Sequence, residues 1–376
     1  MTKKIGIITF HASHNNGSML QAYALQQIIS QFPNYSNEII DFSSVGQKRF
    51  YSIFVIPRNI KELLKNVMFT IFYKKIKSHY GDYERFLKNY MVVSDEKYHS
   101  THELEQANLE YDILISGSDQ VWNTKCLDFE DAYFLSFANK NVKRISYAAS
   151  MAANNIIGEG ARIEKKYREY LMNFQNISVR ERNSKLWIEE LTGRNIDIAA
   201  DPTLLISPDS WAGLAYNPID KGDYIFYYVS WYTKETNIEI QKIAKKYNMP
   251  VYVVNAKEWV RRGLWQYGFK LANPGGPRMF LSLIKNAKLV FTSSFHGTIF
   301  SAVFQKDFWY VKSPIANKND DRASFILEQL GIEEKLITKD SIEKIDLWQE
   351  IDYKEVRKRI DDLKDKSMKY LSDILN

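Results

Sequence analysis

Short runs of β-branched and aromatic residues recur along this chain of 376 residues, each closing in small polar residues and leading into a helix-like stretch. That order constrains the fold more than any other feature. Parallel neighbours in a sheet need a crossover between them, so sustained β-then-α alternation builds parallel sheets with helices on both faces. Strand-like runs fall at residues 4–10, 38–42, 111–115, 143–147 and 177–179, and helix-like runs at 18–31, 158–173 and 181–192. Ser207-Pro208-Asp209, Asn217-Pro218 and Lys221-Gly222-Asp223 then punctuate the chain. The alternation restarts with a strand at 223–229, a helix at 234–247 and a strand at 250–254. A turn at 273–277, a helix at 278–286 and strands at 288–292 and 308–311 follow. This predicts an α/β protein of two Rossmann-like domains facing a cleft. Residues 1–206 form the first, 207–222 a linker, 223–350 the second and 351–376 a C-terminal helix. A cleft between two such domains is the expected ligand site.

Composition excludes several classes. One cysteine, Cys126, builds no intramolecular disulfide, zinc finger or iron–sulfur site and fits a reducing compartment. The start, Met1 to Phe10, reads as a first strand, and no run approaches the ~20 apolar residues of a membrane span. A cytoplasmic protein is expected. The charge of +6 is mild, and without a zinc-knuckle, RNP-like or basic-zipper pattern it does not point to nucleic acid. No GxGxxG follows the first strand and no GxxxxGK[ST] occurs, which disfavours dinucleotide binding and P-loop hydrolysis. The acidic pairs Asp128/Asp131 and Asp320/Asp321 read as solvated loops, so no metal site is expected. The 24 Tyr, 21 Phe and 8 Trp suit packing first and sugar stacking second.

Residues 58–77, in an insertion near 58–90, stand apart. Ile60, Leu63, Leu64, Val67, Met68, Ile71 and Phe72 follow the spacing of one helix face. Arg58, Lys61, Lys65, Lys74, Lys75 and Lys77 face only Glu62 in opposition. Such a basic amphipathic segment either packs its apolar face on the domain or lies on an anionic membrane, a peripheral contact.

The strand ends hold the chemistry. Ligands of open α/β sheets bind at the carboxyl ends of strands, where helix N-termini present free N–H groups. An apolar run ends at Thr292 and gives way to Ser293-Ser294-Phe295-His296-Gly297 before a helix-like pattern. His296 is placed there to act on an anionic substrate, with Ser293, Ser294 and the N–H of Gly297 as anion ligands. The first loop is His11-Ala12-Ser13-His14-Asn15-Asn16-Gly17. Gly17 allows close approach of a ligand, and His11 and His14 can donate to phosphate; the same residues suit a plain polar turn. Ser118, Asp119 and Gln120 offer hydrogen bonds at a second strand end, and Trp122 offers a ring for a sugar or for the core. Arg180 and Arg182 flank Glu181 at a third, where guanidinium forks suit carboxylate or phosphate. Asp201, held extended by Pro202, is an acceptor for sugar hydroxyls or a turn former.

Read in order, these loops resemble the polysaccharide pyruvyl transferase family. The likeness rests on His14-Asn15-Asn16-Gly17 with Leu20-Gln21-Ala22-Tyr23-Ala24-Leu25, then Gly117-Ser118-Asp119-Gln120-Val121-Trp122-Asn123 and Ser146-Tyr147-Ala148-Ala149-Ser150. Ser178-Val179-Arg180-Glu181-Arg182, Asp201-Pro202-Thr203 and Thr292-Ser293-Ser294-Phe295-His296-Gly297 complete it over about residues 4–312. The resemblance implies a GT-B-like fold and transfer of pyruvate from phosphoenolpyruvate to a sugar, with two hydroxyls bridged as a ketal and phosphate released. It implies that His296 is catalytic and that Arg180 binds the donor. Arg182, Ser293, Ser294, Gly297, Asn16 and Gly17 join the donor site, and Ser118, Asp119, Gln120, Trp122 and Asp201 face the acceptor. No cofactor is implied beyond the donor itself. The acceptor is a sugar of a surface-polysaccharide precursor, linked to a lipid or a nucleotide. Several members are similar but read Arg-Leu-His where this chain has Ser294-Phe295-His296; Arg182, Arg278 or Arg322 would supply the absent charge. Two other readings are a nucleotide-sugar glycosyltransferase in the same cleft and a non-catalytic subunit that binds glycan or a partner enzyme.

Overall fold

A computed structural model describes residues 2–219, 222–313 and 317–375. Its first sheet holds β1 (Lys3–Ile8), β2 (Tyr35–Phe42), β3 (Val93–Tyr98), β4 (Ile113–Ser116) and β5 (Lys143–Ser146), in the order β3-β2-β1-β4-β5. Two short parallel strands, β6 (Ser178–Val179) and β7 (Asp197–Ile198), extend it through bridges from Ile145 to Asn176 and from Ala149 to Val179. The second sheet holds β8 (Ile225–Tyr228), β9 (Val251–Val253), β10 (Lys270–Leu271), β11 (Leu289–Thr292), β12 (Phe308–Val311) and β13 (Leu336–Ile337). Their order is β10-β9-β8-β11-β12-β13. All pairings in both sheets are parallel.

The strands form where they do because central parallel strands are covered on both faces and therefore read as unbroken apolar runs. In register, Ile5 and Ile7 of β1 face Ile113 and Ile115 of β4, and Val290 of β11 faces Phe226 of β8. All six are fully or almost fully buried. The chain winds outward from β1 in one direction and from β4 in the other, and it does the same from β8 and β11. Each sheet thus has a switch point, the crevice where ligands enter open α/β sheets. The first is bordered by the loops after β1 and β4, the second by those after β8 and β11. These crevices face each other.

One apolar core joins the two halves. It runs from Ile5 and Leu20 through Trp211 to Phe280, Phe300 and Val290. Trp211 meets the Phe300 ring edge-on at 5.1 Å. Within the expected linker, Pro208–Leu214 is a helix capped by Ser207, and its Trp211 is buried in that shared core. Residues 220 and 221 of the linker lie outside the described residues. The C-terminal helix, Tyr353–Leu375, returns to the first sheet. There the Tyr370 hydroxyl donates to Ser146 O at 2.9 Å, and Ser367 Oγ accepts from Ala200 N at 2.9 Å.

Between β2 and β3 the chain inserts three helices. We label α1 the helix Asn16–Ile29, and the inserted ones α2 (Val45–Tyr51), α3 (Ile60–Ile71) and α4 (Tyr73–Tyr90). The apolar pattern at 58–77 therefore spans a break at Phe72. Phe69 is buried, and Phe72 packs against Trp259 and Trp265 of the second domain. Met68 is half-buried against the same core, and the rest of the stripe does not pack on the domain. Ile60, Leu63, Leu64, Val67 and Ile71 are exposed, Ile71 at 75%. No helix among the described residues is long and apolar enough to cross a membrane.

The insertion is fastened to the second domain by α4. Gly275 N donates to Asp82 Oδ2 at 2.7 Å, and a Cβ on Gly275 would stand 2.2 Å from Nδ1 of buried His79. No side chain fits there without moving helix α4. Gly275→Ala should therefore cost about 1–3 kcal/mol in urea unfolding, the usual cost of overpacking. His79→Ala in the same chain should recover part of that loss. An unchanged midpoint for Gly275→Ala would show that α4 does not sit on this turn.

Candidate active site

At the first switch point, Asn15 caps α1 and accepts from Gly17 N at 3.0 Å. At the second, Ser294 caps the helix Phe295–Val303 and accepts from Gly297 N at 3.3 Å. The two helix starts meet. A Cβ on Gly17 would lie 2.2 Å from Nδ1 of His296, so only glycine lets the imidazole of the second domain seat against the first. Gly17 is needed for His296, where a ligand had been the expected beneficiary.

The other ring nitrogen faces Asp201. His296 Nε2 is 3.3 Å from Asp201 Oδ2, and Arg180 Nη1 is 2.8 Å from the same oxygen. Ser118 Oγ approaches it at 3.5 Å. Oδ1 takes Thr203 N at 3.0 Å and the Thr203 hydroxyl at 2.6 Å, the capping bonds of the turn that Pro202 starts. All these groups are buried. Burial alone pushes the Asp201 carboxyl up. His296 first, then Arg180 and Thr203, override that and hold it well below its ordinary value. Asp201 is thus an ionised carboxylate between two basic side chains, one from each half of the molecule. Removing one partner of such a buried pair typically costs about 3–5 kcal/mol, because the remaining charge is left uncompensated.

Arg180 is held from several sides. Its guanidinium lies over the Phe295 ring at 4.1 Å, a cation–π contact across the domains. Nη2 is 3.6 Å from Asp119 Oδ1, and Nε is 3.7 Å from Glu181 Oε2. These are ion-pair distances. Neither Nε nor Nη2 has a hydrogen-bond partner among the described residues. Asp119 in turn accepts from Ser18 Oγ at 2.5 Å. Burial raises the Glu181 carboxyl despite Arg180 and Arg322 nearby. Arg322 makes a two-pronged pair with Asp320 at 2.8 and 2.6 Å.

Several expected site residues are placed elsewhere or are otherwise engaged. Trp122 is fully buried, stacked on Phe134, and donates Nε1–H to Tyr133 O at 3.0 Å, so it is core and takes no sugar. Arg182 is exposed and paired with Glu328 at 2.7 Å, because it opens a helix that turns it away from Arg180. Ser293 Oγ accepts from Ser230 N at 2.7 Å and Ser294 Oγ accepts from Gly297 N at 3.3 Å, bonds that fix both oxygens in the turn and leave each hydroxyl its O–H to donate. A Cβ on Gly297 would meet Thr292 Oγ1 at 2.2 Å; the glycine serves packing of the turn. Ser118 and Asp119 are buried in the network around Arg180 and Asp201, and Asp201 faces cations in place of sugar hydroxyls. Gln120 Oε1 accepts from Asn123 Nδ2 at 3.1 Å. Asn16 is buried beside Tyr83 and Tyr228. His11 is buried in a pair with Asp41 at 3.2 Å, which removes it as a phosphate ligand. His14 pairs with Glu84 at 2.7 Å. Arg278 donates to Leu214 O at 2.7 Å and stacks on Tyr216, away from the centre. Sequence reasoning missed Ser18, Phe295 and Thr203; only Thr203, beside Asp201-Pro202, carried a local turn signal.

Beside this centre lies a cleft of about 1000 Å³ whose lining includes Asn15 and Ser294, the two capping residues. Tyr51, Tyr80, Tyr83, Tyr228 and Trp231 line it, giving flat apolar walls with polar tips. Among the described residues no group of three or more His, Cys, Asp or Glu is placed to hold a metal ion.

The model of the family described as polysaccharide pyruvyl transferase matches residues 15–313. No curated protein matches the chain. Among solved structures it is similar to UDP-GlcNAc 2-epimerase from Methanocaldococcus jannaschii in complex with UDP-GlcNAc and UDP, at 12% identity and TM-score 0.51 over 99% of each chain. It is also similar to S. aureus MnaA with UDP, at 11% identity and TM-score 0.52 over 97% of this chain and 90% of that one. A glycosyltransferase from Rickettsia africae gives 11% identity and TM-score 0.50 over 100% and 98%. At such identities the likeness is one of fold, the GT-B arrangement of two Rossmann-like domains facing a cleft. The family match takes in both switch points together with Arg180, Asp201 and His296, and the chain belongs to the polysaccharide pyruvyl transferase family of enzymes.

Proposed function

We propose that this enzyme transfers pyruvate from phosphoenolpyruvate to a sugar of a surface-polysaccharide precursor, at the centre formed by Arg180, Asp201 and His296. The observation that carries the reading is Arg180. It is buried, fixed by Asp201 and Phe295, and its Nε and Nη2 make no hydrogen bond among the described residues, with only Glu181 and Asp119 at ion-pair distance. A guanidinium held in this way is a preset ligand for the carboxylate or phosphate of the donor.

The chemistry asks for proton transfers near that anion. The methylene carbon of phosphoenolpyruvate takes a proton, which leaves cation character at the central carbon. A sugar hydroxyl adds there and loses its proton. The bond from that carbon to the phosphate oxygen breaks, and the second hydroxyl closes the ketal. Of the two hydroxyl protons, one replaces the proton put on the new methyl group and the other leaves with phosphate. His296 moves these protons, and Asp201 orients its ring and stabilises the protonated form. The second cation for the donor is Arg322, in place of the Arg that several members carry at the position of Ser294.

The reading also gives the enzyme a membrane contact on the cytoplasmic side, where a lipid-linked precursor would be met. The exposed stripe of α3 is accompanied by exposed Arg58 and Lys61 at the start of the same helix and by exposed Lys74 and Lys77 at the start of α4. Apolar burial and attraction to anionic lipid act together on such a surface, at about 1 kcal/mol per basic residue near the bilayer.

Phosphate release from phosphoenolpyruvate with candidate glycan precursors tests the chemistry. His296→Ala and Arg180→Ala should each lose about 10²–10⁴-fold in rate. Gly17→Ala, whose methyl drives into the imidazole, should fall with them and also lose about 1–3 kcal/mol of stability, the usual cost of overpacking. Full activity in His296→Ala and Arg180→Ala would show that the centre is wrongly assigned. Co-sedimentation with vesicles tests the membrane contact. Binding to phosphatidylglycerol vesicles should exceed binding to phosphatidylcholine ones and drop in Lys74→Glu/Lys75→Glu. Equal sedimentation of variant and wild type, or none of either, removes it.

A further inference from the structure

Helix α3 has a second working face. On a helix that turns about 100° per residue, Glu62, Lys65 and Phe69 lie opposite the exposed stripe. These three line the cleft. At this end of the cleft Arg49, Arg58, Lys65, Lys257 and Arg261 stand against only Glu62 and Glu258. Two of the five are paired: Arg49 Nη2 donates to Glu62 Oε2 at 3.0 Å, and Arg261 pairs with Glu258. The other three form no ion pair among the described residues. Lys257 donates to Tyr51 O and, at 2.9 Å, to Ser52 O, both neutral acceptors. Burial, then repulsion from Lys65, pushes its ammonium down to about 8. Lys65 lies over the Phe69 ring at 5.9 Å, and Arg58 is exposed at the rim. Cations gathered without counter-charge raise one another's energy, and an anion between them removes that cost.

We propose that this end of the cleft binds the diphosphate of the acceptor, so that the substrate is a sugar diphosphate ester. The assignment of the ester as acceptor rests on the pyruvyl-transfer reading; the cation cluster itself does not. A diphosphate spreads its charge over several oxygens and so matches separated point charges on Arg58, Lys65 and Lys257. Tyr80 and Trp231, in the same cleft, offer flat faces for the sugar, and Asn15 and Ser294 mark where the hydroxyls would reach the catalytic centre. The diphosphate could be carried on a lipid or on a nucleotide. The apolar stripe on the back of the same helix makes the lipid the expected carrier.

Isothermal titration of the full chain separates these points. The probes are a farnesyl diphosphate-linked hexose, a UDP-hexose and phosphoenolpyruvate. Arg58→Glu/Lys65→Glu changes only side chains at the cleft rim and should keep the wild-type melting temperature. It should weaken the farnesyl diphosphate-linked hexose by about tenfold or more and phosphoenolpyruvate by less than about twofold. Arg180→Ala should do the reverse. Tighter wild-type binding of the UDP-hexose, lost in the double variant, supports the same site with a nucleotide carrier. The proposal is overturned if neither diphosphate probe binds wild type, if the double variant binds them as wild type does, or if phosphoenolpyruvate weakens equally. Diphosphate binding without any binding of phosphoenolpyruvate would instead sink the donor reading and leave this site standing.

Discussion

The carboxylate of Asp201 is where two separately built halves become one site. It is buried, which by itself would favour its neutral form. It stays ionised because Arg180 reaches it from the edge of the first sheet and His296 from the second. The buried guanidinium of Arg180 has no closer counter-charge than this carboxylate, and the carboxylate owes its charge to the two basic side chains beside it. The rest of the architecture serves that meeting. The shared core through Trp211 and Phe300 fixes the halves in place, Gly17 leaves room for the imidazole of the second domain, and Phe295 supports Arg180 from the opposite domain.

Much of the fold was legible because parallel strands buried on both faces leave unmistakable apolar runs. The runs ending near Ser116, Thr292 and Tyr228 are strands within a residue or so. Strands β3, β7, β10 and β13 escaped notice, since edge strands such as Val93–Tyr98 are short or polar on their open side. The stripe on α3 shows a different limit. Periodicity reveals that an apolar face exists, but this helix has apolar residues on two sides, and Phe69 with Phe72 took the inner one. Only tertiary packing decides which face is left exposed.

The site was legible as a set of strand-end residues and illegible as a set of partnerships. Arg180 and Arg182 look equivalent in sequence, yet one ends an extended segment and the other opens a helix, so they diverge. Trp122 carried equal promise for sugar or core, and the Phe134 ring settled it. Ser294 is a plain consequence of helix capping: its oxygen holds Gly297 N, which fixes where its hydroxyl sits. Arg180 packs under Phe295 although 115 residues separate them, and no local pattern joins the two.

The account stands on Arg180 and His296 acting as one unit through Asp201. A double-mutant cycle on phosphate release from phosphoenolpyruvate measures this directly, using Arg180→Ala, His296→Ala and the two combined. Residues that act together are strongly non-additive. The account predicts that the combined variant falls little below the weaker single one. Losses that multiply, as for two independent sites, would contradict it.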